Sequence, residues 1–182
     1  MKRRTFDLLV SIGGLALAVT LVVAGLVFRS NADFAKDNVR AQLTAQRISF
    51  PPAADLTAEE KEVPGVVKYA GQRVATGEHA EAYAAFIGLH LKGIGGGKTY
   101  SELSRESRAN PANEELAGQV QTAFRGETLR GLLLTTYAFW TMGEKAQQAS
   151  AVFLFAALML LALSGAGFWH YSRTARRAQI NF

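Results

Sequence analysis

The sequence predicts an all-α protein with two transmembrane helices that flank an extracytoplasmic bundle of four or five helices. Three features predict this fold: an uncharged apolar run near each end, basic residues outside both runs, and helical rather than alternating apolar spacing between them. The predicted divisions are a cytoplasmic tail at residues 1–7, a transmembrane helix at 8–28, an extracytoplasmic helical domain at 29–149, a second transmembrane helix at 150–171 and a basic cytoplasmic tail at 172–182.

The first apolar run, Leu8–Phe28, contains 21 residues and no charge. At about 1.5 Å per residue, a helix of this length crosses the roughly 30 Å hydrocarbon layer of a bilayer. A cleaved signal peptide is the alternative, since basic residues precede the run. However, the run exceeds the 7–15 apolar residues typical of a signal peptide, and Arg29 follows it directly. We therefore expect an uncleaved anchor.

The second apolar run, Ala151–Trp169, is also uncharged. Basic residues are concentrated in the two tails, and this bias predicts that both termini are cytoplasmic and that the protein is a multi-pass protein of the plasma membrane. Basic and aromatic side chains near the ends of the runs are expected at the membrane interface. They are Arg4, Arg29, Trp169, Tyr171, Arg173, Arg176 and Arg177.

Small residues recur at four-residue steps in both runs, which predicts close packing of the two helices on each other or on a partner. The pairs are Gly14 with Ala18, Ala16 with Thr20, and Ala162 with Ala166. A general richness of transmembrane helices in glycine and alanine is the alternative explanation.

Between the runs, local signals predict where helices begin and end. The first helix is expected to continue to about Arg47 and to end at Phe50-Pro51-Pro52. Thr57 with Glu60 and Thr99 with Glu102 have the spacing of capping boxes. The remaining predictions are a helix from Pro64 to Gly77, one over residues 80–91, a break at Gly93–Gly97, a short helix to about Ala109, a restart at Asn110-Pro111, and one or two long helices leading to the second run.

Charge and composition exclude several classes of function. The net charge is +5, but residues 30–149 hold 13 basic and 14 acidic residues, so the central domain offers no basic face to nucleic acid. The chain has no cysteine, which excludes disulfides and thiolate chemistry. No charged residue or histidine lies within either apolar run, so transport by this chain alone is not expected.

No motif demands catalysis, and we expect no catalytic residue, cofactor or metal. The segment GGGKT resembles a phosphate-binding loop, but Lys92 occupies the position where that pattern needs its first glycine. His79 and His90 would lie about 16 Å apart along one helix, too far for one metal. Glu102 and Glu106 are one turn apart and are explained by a solvated helix face.

The stretch FRGETLRGLLLTTYAFW, residues 124–140, is the most distinctive. One interpretation is a core helix that ends in an interfacial aromatic belt. The other is a contact surface for a partner, because arginine, tyrosine and tryptophan often anchor interfaces. The candidate contact residues are Arg125, Glu127, Arg130, Tyr137, Phe139 and Trp140.

Together with GGGKTYSE, this stretch resembles a family of small uncharacterised actinobacterial membrane proteins with two spans. The resemblance covers nearly the whole chain. It implies the two-span topology, and it implies no activity or functional residue.

The favoured functional interpretation is a non-enzymatic accessory or structural membrane protein, a small subunit or interaction partner of a larger envelope or respiratory complex. Its expected partners are the lipid bilayer and a membrane protein or further copies of itself, and no nucleic acid. The alternative is an extracytoplasmic ligand-binding or sensing module, which would need a partner for signalling because the tails are short. An enzyme acting on lipid or cell wall is the third hypothesis, motivated only by scattered glutamates and histidines.

Overall fold

The computed structural model describes the backbone of residues 3–179 and the side chains of residues 5–173. Within this part, the chain is 82% helical and forms no strand, which confirms the all-α prediction. The helices are α1 (Arg3–Gln46), α2 (Ala58–Lys61), α3 (Val66–Tyr69), α4 (Gly77–Lys92), a 3₁₀ turn (Ile94–Gly96), α5 (Tyr100–Ala109) and α6 (Glu114–Gln179).

The chain forms two compact units. One, here called the helix pair, contains residues Met1–Phe34 and Gly143–Phe182. The other, the helical domain, contains residues Ala35–Met142. The divisions between the units fall within the long helices α1 and α6.

The helix pair contains the two apolar runs. Helices α1 and α6 are each long and apolar enough to cross a membrane, with peak mean hydropathies of 2.4 and 2.3. Only 17% and 11% of these apolar windows are buried within the protein. A core helix of a soluble protein would bury most of such a surface. The prediction of two long apolar helices is therefore confirmed.

Small residues at seven-residue intervals form the contact between the two helices of the pair. The buried residues are Ser11, Ala18, Gly25 and Ala32 on α1 and Gly143, Ser150, Ala157 and Ser164 on α6. Ser150 Oγ donates a 2.7 Å hydrogen bond to the carbonyl oxygen of Gly25. A seven-residue repeat is the period of left-handed helix pairing, and small side chains permit the close approach.

The predicted four-residue steps are only partly correct. Ala18 is buried, and a Cβ built on Gly14 lies 2.5 Å from Ser164 Oγ, so this pair does face the neighbouring helix. Ala16, Thr20, Ala162 and Ala166 are exposed. The contact follows the seven-residue period instead, because each helix presents only one stripe to the other.

In the helical domain, a single core forms around aromatic side chains. Phe50 is 2% exposed and packs edge-on against Tyr83, with 5.2 Å between ring centroids. Val66, Val74 and Trp140 are also buried in this core. The core therefore contains side chains from α3, α4 and α6 and from the loop that follows α1.

Several predicted boundaries are wrong. The helix expected from Pro64 to Gly77 ends at Tyr69, because the residues that follow pair in extended conformation with the segment after α1. The Phe50 N–H donates to the carbonyl oxygen of Gln72, and the Val74 N–H donates to that of Ile48, on either side of a Ser49–Arg73 bridge. Gly77 begins α4 rather than ending a helix, and the hydroxyl of Thr76 caps it by accepting from the His79 backbone N–H.

Two other ends are displaced by a few residues. Helix α1 ends at Gln46, close to the expected Arg47 but ahead of the two prolines, because Arg47 adopts a left-handed conformation with φ 56°. Helix α6 begins at Glu114 rather than at Pro111, since the side chain of Asn113 accepts a hydrogen bond from the Leu116 N–H. The bundle of four or five helices is not confirmed, because α2 and α3 are single turns of four residues.

Candidate functional site

The two distinctive sequence motifs meet at one open cleft in the helical domain. The cleft has a volume of about 540 Å³ and lies between the α2–α3 segment, α4, the glycine loop and α6. Its lining residues are Glu59, Glu62, Val63, Pro64, Ala85, Gly88, Leu89, Leu91, Lys92, Gly97, Lys98, Thr99, Tyr100, Ala123, Glu127 and Arg130. In addition, the rings of Tyr100 and Phe124, one from each motif, lie 5.6 Å apart.

The glycine loop forms one edge of the cleft. Gly95, Gly96 and Gly97 all have positive φ values, which only glycine adopts without strain. A Cβ on Gly95 would also lie 2.5 Å from Leu103 Cδ2, so this position has no room for a side chain. The loop therefore breaks the chain between α4 and α5, as predicted.

Polar contacts fix the residues that follow the loop. Lys98 Nζ lies 2.7 Å from Glu106 Oε2. Thr99 and Glu102 form the predicted capping box of α5. Hydrogen bonds from the Thr99 backbone N–H, the larger cause, and from the Thr99 hydroxyl lower the pKa of Glu102. The lysine is thus paired with Glu106 within the protein.

Two glycines allow α4 and α6 to approach closely at the floor of the cleft. A Cβ on Gly88 of α4 would lie 3.3 Å from Arg130 Nε. A Cβ on Gly126 of α6 would overlap the side chain of Leu91. The glycine in FRGETLR therefore has a packing role, since it admits Leu91 between the two helices.

Charges of both signs surround an apolar floor. Val63, Leu89 and Leu91 are half-buried and Ala123 is buried. On the rim, Arg130 Nη1 lies 3.1 Å from Glu127 Oε2, as the i,i+3 spacing predicted. The side chains of Glu59, Glu62 and Lys92 form no hydrogen bond or ion pair with any of the described residues. The cleft thus offers two carboxylates and one ammonium group that are free to bind an occupant.

Beside the cleft, a histidine ties α2 to α4. His90 Nε2 lies 2.9 Å from Glu60 Oε1, while its Nδ1 lies 2.9 Å from the carbonyl oxygen of Phe86. Both contacts become hydrogen bonds when the ring is doubly protonated, because both partners are acceptors. Glu60 also caps α2, and the backbone N–H of Thr57 is the main cause that lowers the pKa of Glu60.

The six predicted contact residues do not form one surface. Glu127 and Arg130 line the cleft, Arg125 and Phe139 are exposed elsewhere on α6, and Tyr137 is half-buried. Trp140 is only 5% exposed. Its Nε1 donates a 2.9 Å hydrogen bond to Glu78 Oε1, and the cationic groups of Lys36 and Arg40 lie 5.3 and 5.7 Å from its ring. Trp140 is therefore part of the core and is not available to a partner.

The predicted interface residues lie on the helix pair as far as the structure describes them. Arg29 Nε lies 3.0 Å from Asp33 Oδ2. Trp169 is 58% exposed, and the guanidinium carbon of Arg173 lies 4.0 Å from its ring. Tyr171 is half-buried. The side chains of Arg4, Arg176 and Arg177 lie outside the described residues.

The histidines do not converge. The His79 ring packs on Tyr69, with 4.4 Å between centroids, whereas His90 lies beside the cleft. His170 Nδ1 lies 3.2 Å from Asp7 Oδ2 in the helix pair. Within the part of the chain that the structure describes, no group of three potential ligands is placed to hold a metal ion.

The contacts of Glu78 with Trp140 and of Glu60 with His90 join residues 62 and 30 positions apart and were not predicted from the sequence. The only local signal was the acidic residue next to each helix start.

Comparisons with known protein families, with curated proteins and with solved structures give no match to this chain. The resemblance to actinobacterial two-span proteins therefore stays a prediction.

Proposed function

We propose that the protein is a non-enzymatic accessory protein of the plasma membrane, anchored by α1 and α6, with both termini in the cytoplasm and the helical domain outside. The basic residues of the two tails support this orientation, and the mostly exposed apolar windows of both helices support contact with lipid. The Trp169 ring beneath Arg173 is suited to the polar edge of a bilayer.

We propose further that the cleft binds a polypeptide segment of a membrane-protein partner. The observation that carries this proposal is the convergence of both sequence motifs on an open cleft with an apolar floor and a rim of both charges. An apolar centre within a polar rim is the usual anatomy of a protein interface. The unpaired Glu59, Glu62 and Lys92 provide complementary sites for a segment that itself bears both charges.

Photocrosslinking in native membranes tests this proposal. A photoreactive amino acid at Leu89, on the cleft floor, is expected to give one defined adduct that mass spectrometry identifies as a membrane protein. The same amino acid at Lys61, exposed on α2 but outside the cleft, is the matched control. Equal yields from both positions, or no adduct from Leu89, would contradict the proposal.

A small-molecule ligand is the second candidate, since about 540 Å³ lies within the range of roughly 300–1,000 Å³ that ligand sites occupy. A ligand that binds the folded state raises the unfolding temperature. A protein-free extract of the native cells would then raise the unfolding temperature of the purified protein, and Leu89→Glu would abolish the increase. A partner segment predicts adducts and no such increase.

A further inference from the structure

One face of α6 in the helical domain exposes large apolar side chains. Phe124 is 50% exposed, Leu132 62%, Phe139 56% and Met142 66%. Scattered exposed apolar residues need no explanation, but a continuous row of them on a folded domain marks an interaction surface.

The spacing places these side chains in a single row. Six residues of α6 follow one another at steps of three or four positions. At about 100° per residue, they fall within an arc of about 80° around the helix axis. We call them the α6 stripe: Phe124, Thr128, Leu132, Thr135, Phe139 and Met142. The buried Leu133 and Trp140 lie on the opposite side of the helix. The α6 stripe is therefore not part of the core of its own domain.

The α6 stripe has the composition of a helix–helix contact. Thr128, Thr135 and Met142 are seven residues apart, which is the repeat of left-handed helix pairing. Gly131 and Ala138 lie beside the row, and a Cβ on Gly131 would meet nothing within 4 Å. Large and small side chains thus alternate, and the small ones leave holes that large ones from another helix can fill.

Charges on the two edges favour a second copy of this chain as the occupant. Arg125 borders the α6 stripe on one side and Glu127 borders it on the other. When two identical helices pair side by side with two-fold symmetry, the cationic edge of each copy faces the anionic edge of the other. Arg125 is exposed and has no ion-pair partner among the described residues, so it is free to make this contact. Glu127 pairs with Arg130 through Oε2, but its side chain is 48% exposed, and a carboxylate can accept from a second donor.

Lipid is a poorer occupant. Glu144, Lys145, Gln147 and Gln148 separate the α6 stripe in sequence from the second apolar run. A bilayer core does not accept such a polar segment, so the α6 stripe is not part of the membrane-spanning sequence. Two copies anchored in one membrane with the same topology present this part of α6 in the same direction, so they would pair in parallel.

We propose that two copies of this protein pair in parallel through the α6 stripe. The parallel direction rests on the proposed membrane topology, whereas the pairing itself does not depend on a cleft partner. The chain contains no cysteine, so single cysteines report the contact without background.

Disulfide formation in native membranes tests the pairing. We expect Thr135→Cys to form a covalent dimer under mild oxidation, at least ten times faster than Leu134→Cys. Leu134 is exposed on the same helix but lies outside the α6 stripe, so it controls for random collisions. Adding Phe139→Glu to the Thr135→Cys variant should remove the dimer.

Tryptophan emission in a Trp169→Phe background, where Trp140 is the one remaining tryptophan, shows whether the domain of each variant remains folded, because Trp140 is buried in its core. Equal rates at residues 134 and 135, or no dimer from Thr135→Cys in a folded variant, would overturn the pairing. Loss of the Leu89 adduct with retained disulfide formation would instead reject only the cleft partner.

Discussion

The close contact between Gly77 and Trp140 leads us to expect that Gly77→Ala destabilises the protein, although glycine-to-alanine substitutions at such positions usually stabilise. Glycine-to-alanine substitution at a position with ordinary backbone angles stabilises a protein by about 0.4–1 kcal/mol, because it restricts the unfolded chain. Gly77 is the first residue of α4 and does not have a positive φ. By that rule alone, Gly77→Ala would be stabilising.

The packing around Trp140 reverses the sign. A Cβ on Gly77 would overlap Cβ and Cγ of Trp140 and lie 2.6 Å from its Cδ1. These atoms are at the base of the side chain, and the bond from Nε1 to Glu78 holds the other end of the ring. Overpacking of a well-filled core costs about 1–3 kcal/mol. We therefore expect Gly77→Ala to lower the free energy of unfolding by a net ~1–2 kcal/mol.

Thermal unfolding of the full chain in mild detergent measures this effect, with the emission of Trp140 as the signal in a Trp169→Phe background. For a domain of this size, about 1 kcal/mol shifts the unfolding temperature by roughly 4–8 °C, so Gly77→Ala should lower it by about 5–15 °C. Gly118→Ala is the matched control, because a Cβ there meets nothing within 4 Å and should be neutral or stabilising. An unfolding temperature for Gly77→Ala at or above that of the unsubstituted protein would refute the packing argument.

Two further predictions concern pH and the helix pair. Capping lowers the pKa of Glu60 and of Glu102 below the ordinary 4.5, so the stabilisation is present above pH 4.5 and is lost as the pH falls through the lower folded-state values. The unfolding temperature should thus fall on acidification, and less so in the Glu60→Gln/Glu102→Gln double variant; identical pH profiles would contradict this. In the helix pair, a Cβ on Gly25 would lie 2.8 Å from Leu154 Cγ, so Gly25→Leu should separate the helices. The rings of Phe28 and Phe153 lie 5.4 Å apart, so cysteines at these two positions should form an intramolecular disulfide. Gly25→Leu should suppress this disulfide, whereas the control Gly13→Leu should leave it intact, because a Cβ on Gly13 meets nothing within 4 Å.

The capping boxes and the glycine break, which act over a few residues, were predicted correctly from the sequence, whereas the helix end expected at Gly77 and the start expected at Pro111 were not. The capping boxes of Thr57 with Glu60 and of Thr99 with Glu102 form as expected, since each depends only on two residues that are three positions apart in the sequence. The glycine break after α4 is also present, because its dihedral angles are a property of glycine itself. The two long apolar helices follow from composition alone.

Contacts between distant segments were not predictable in this way. The helix expected after Pro64 is replaced by a short extended pairing of Phe50 and Val74 with backbone on the opposite segment, and no local propensity indicates that pairing. The cleft brings together motifs about 25 residues apart, and two glycines with packing roles, Gly88 and Gly126, make that meeting possible. Trp140 fitted both interpretations of its stretch, a core helix and a partner contact, because aromatic residues suit both, and only its burial distinguishes the two.

The orientation of the chain in the membrane is the central claim, and single-cysteine labelling of intact cells tests it most directly. The natural sequence has no cysteine, so Ser101→Cys in α5 and Ser172→Cys near the end of α6 provide the only reactive sites. We predict that a membrane-impermeant maleimide labels residue 101 in intact cells and labels residue 172 only after permeabilisation. Labelling of residue 172 in intact cells, or protection of residue 101 until the membrane is opened, would contradict the account.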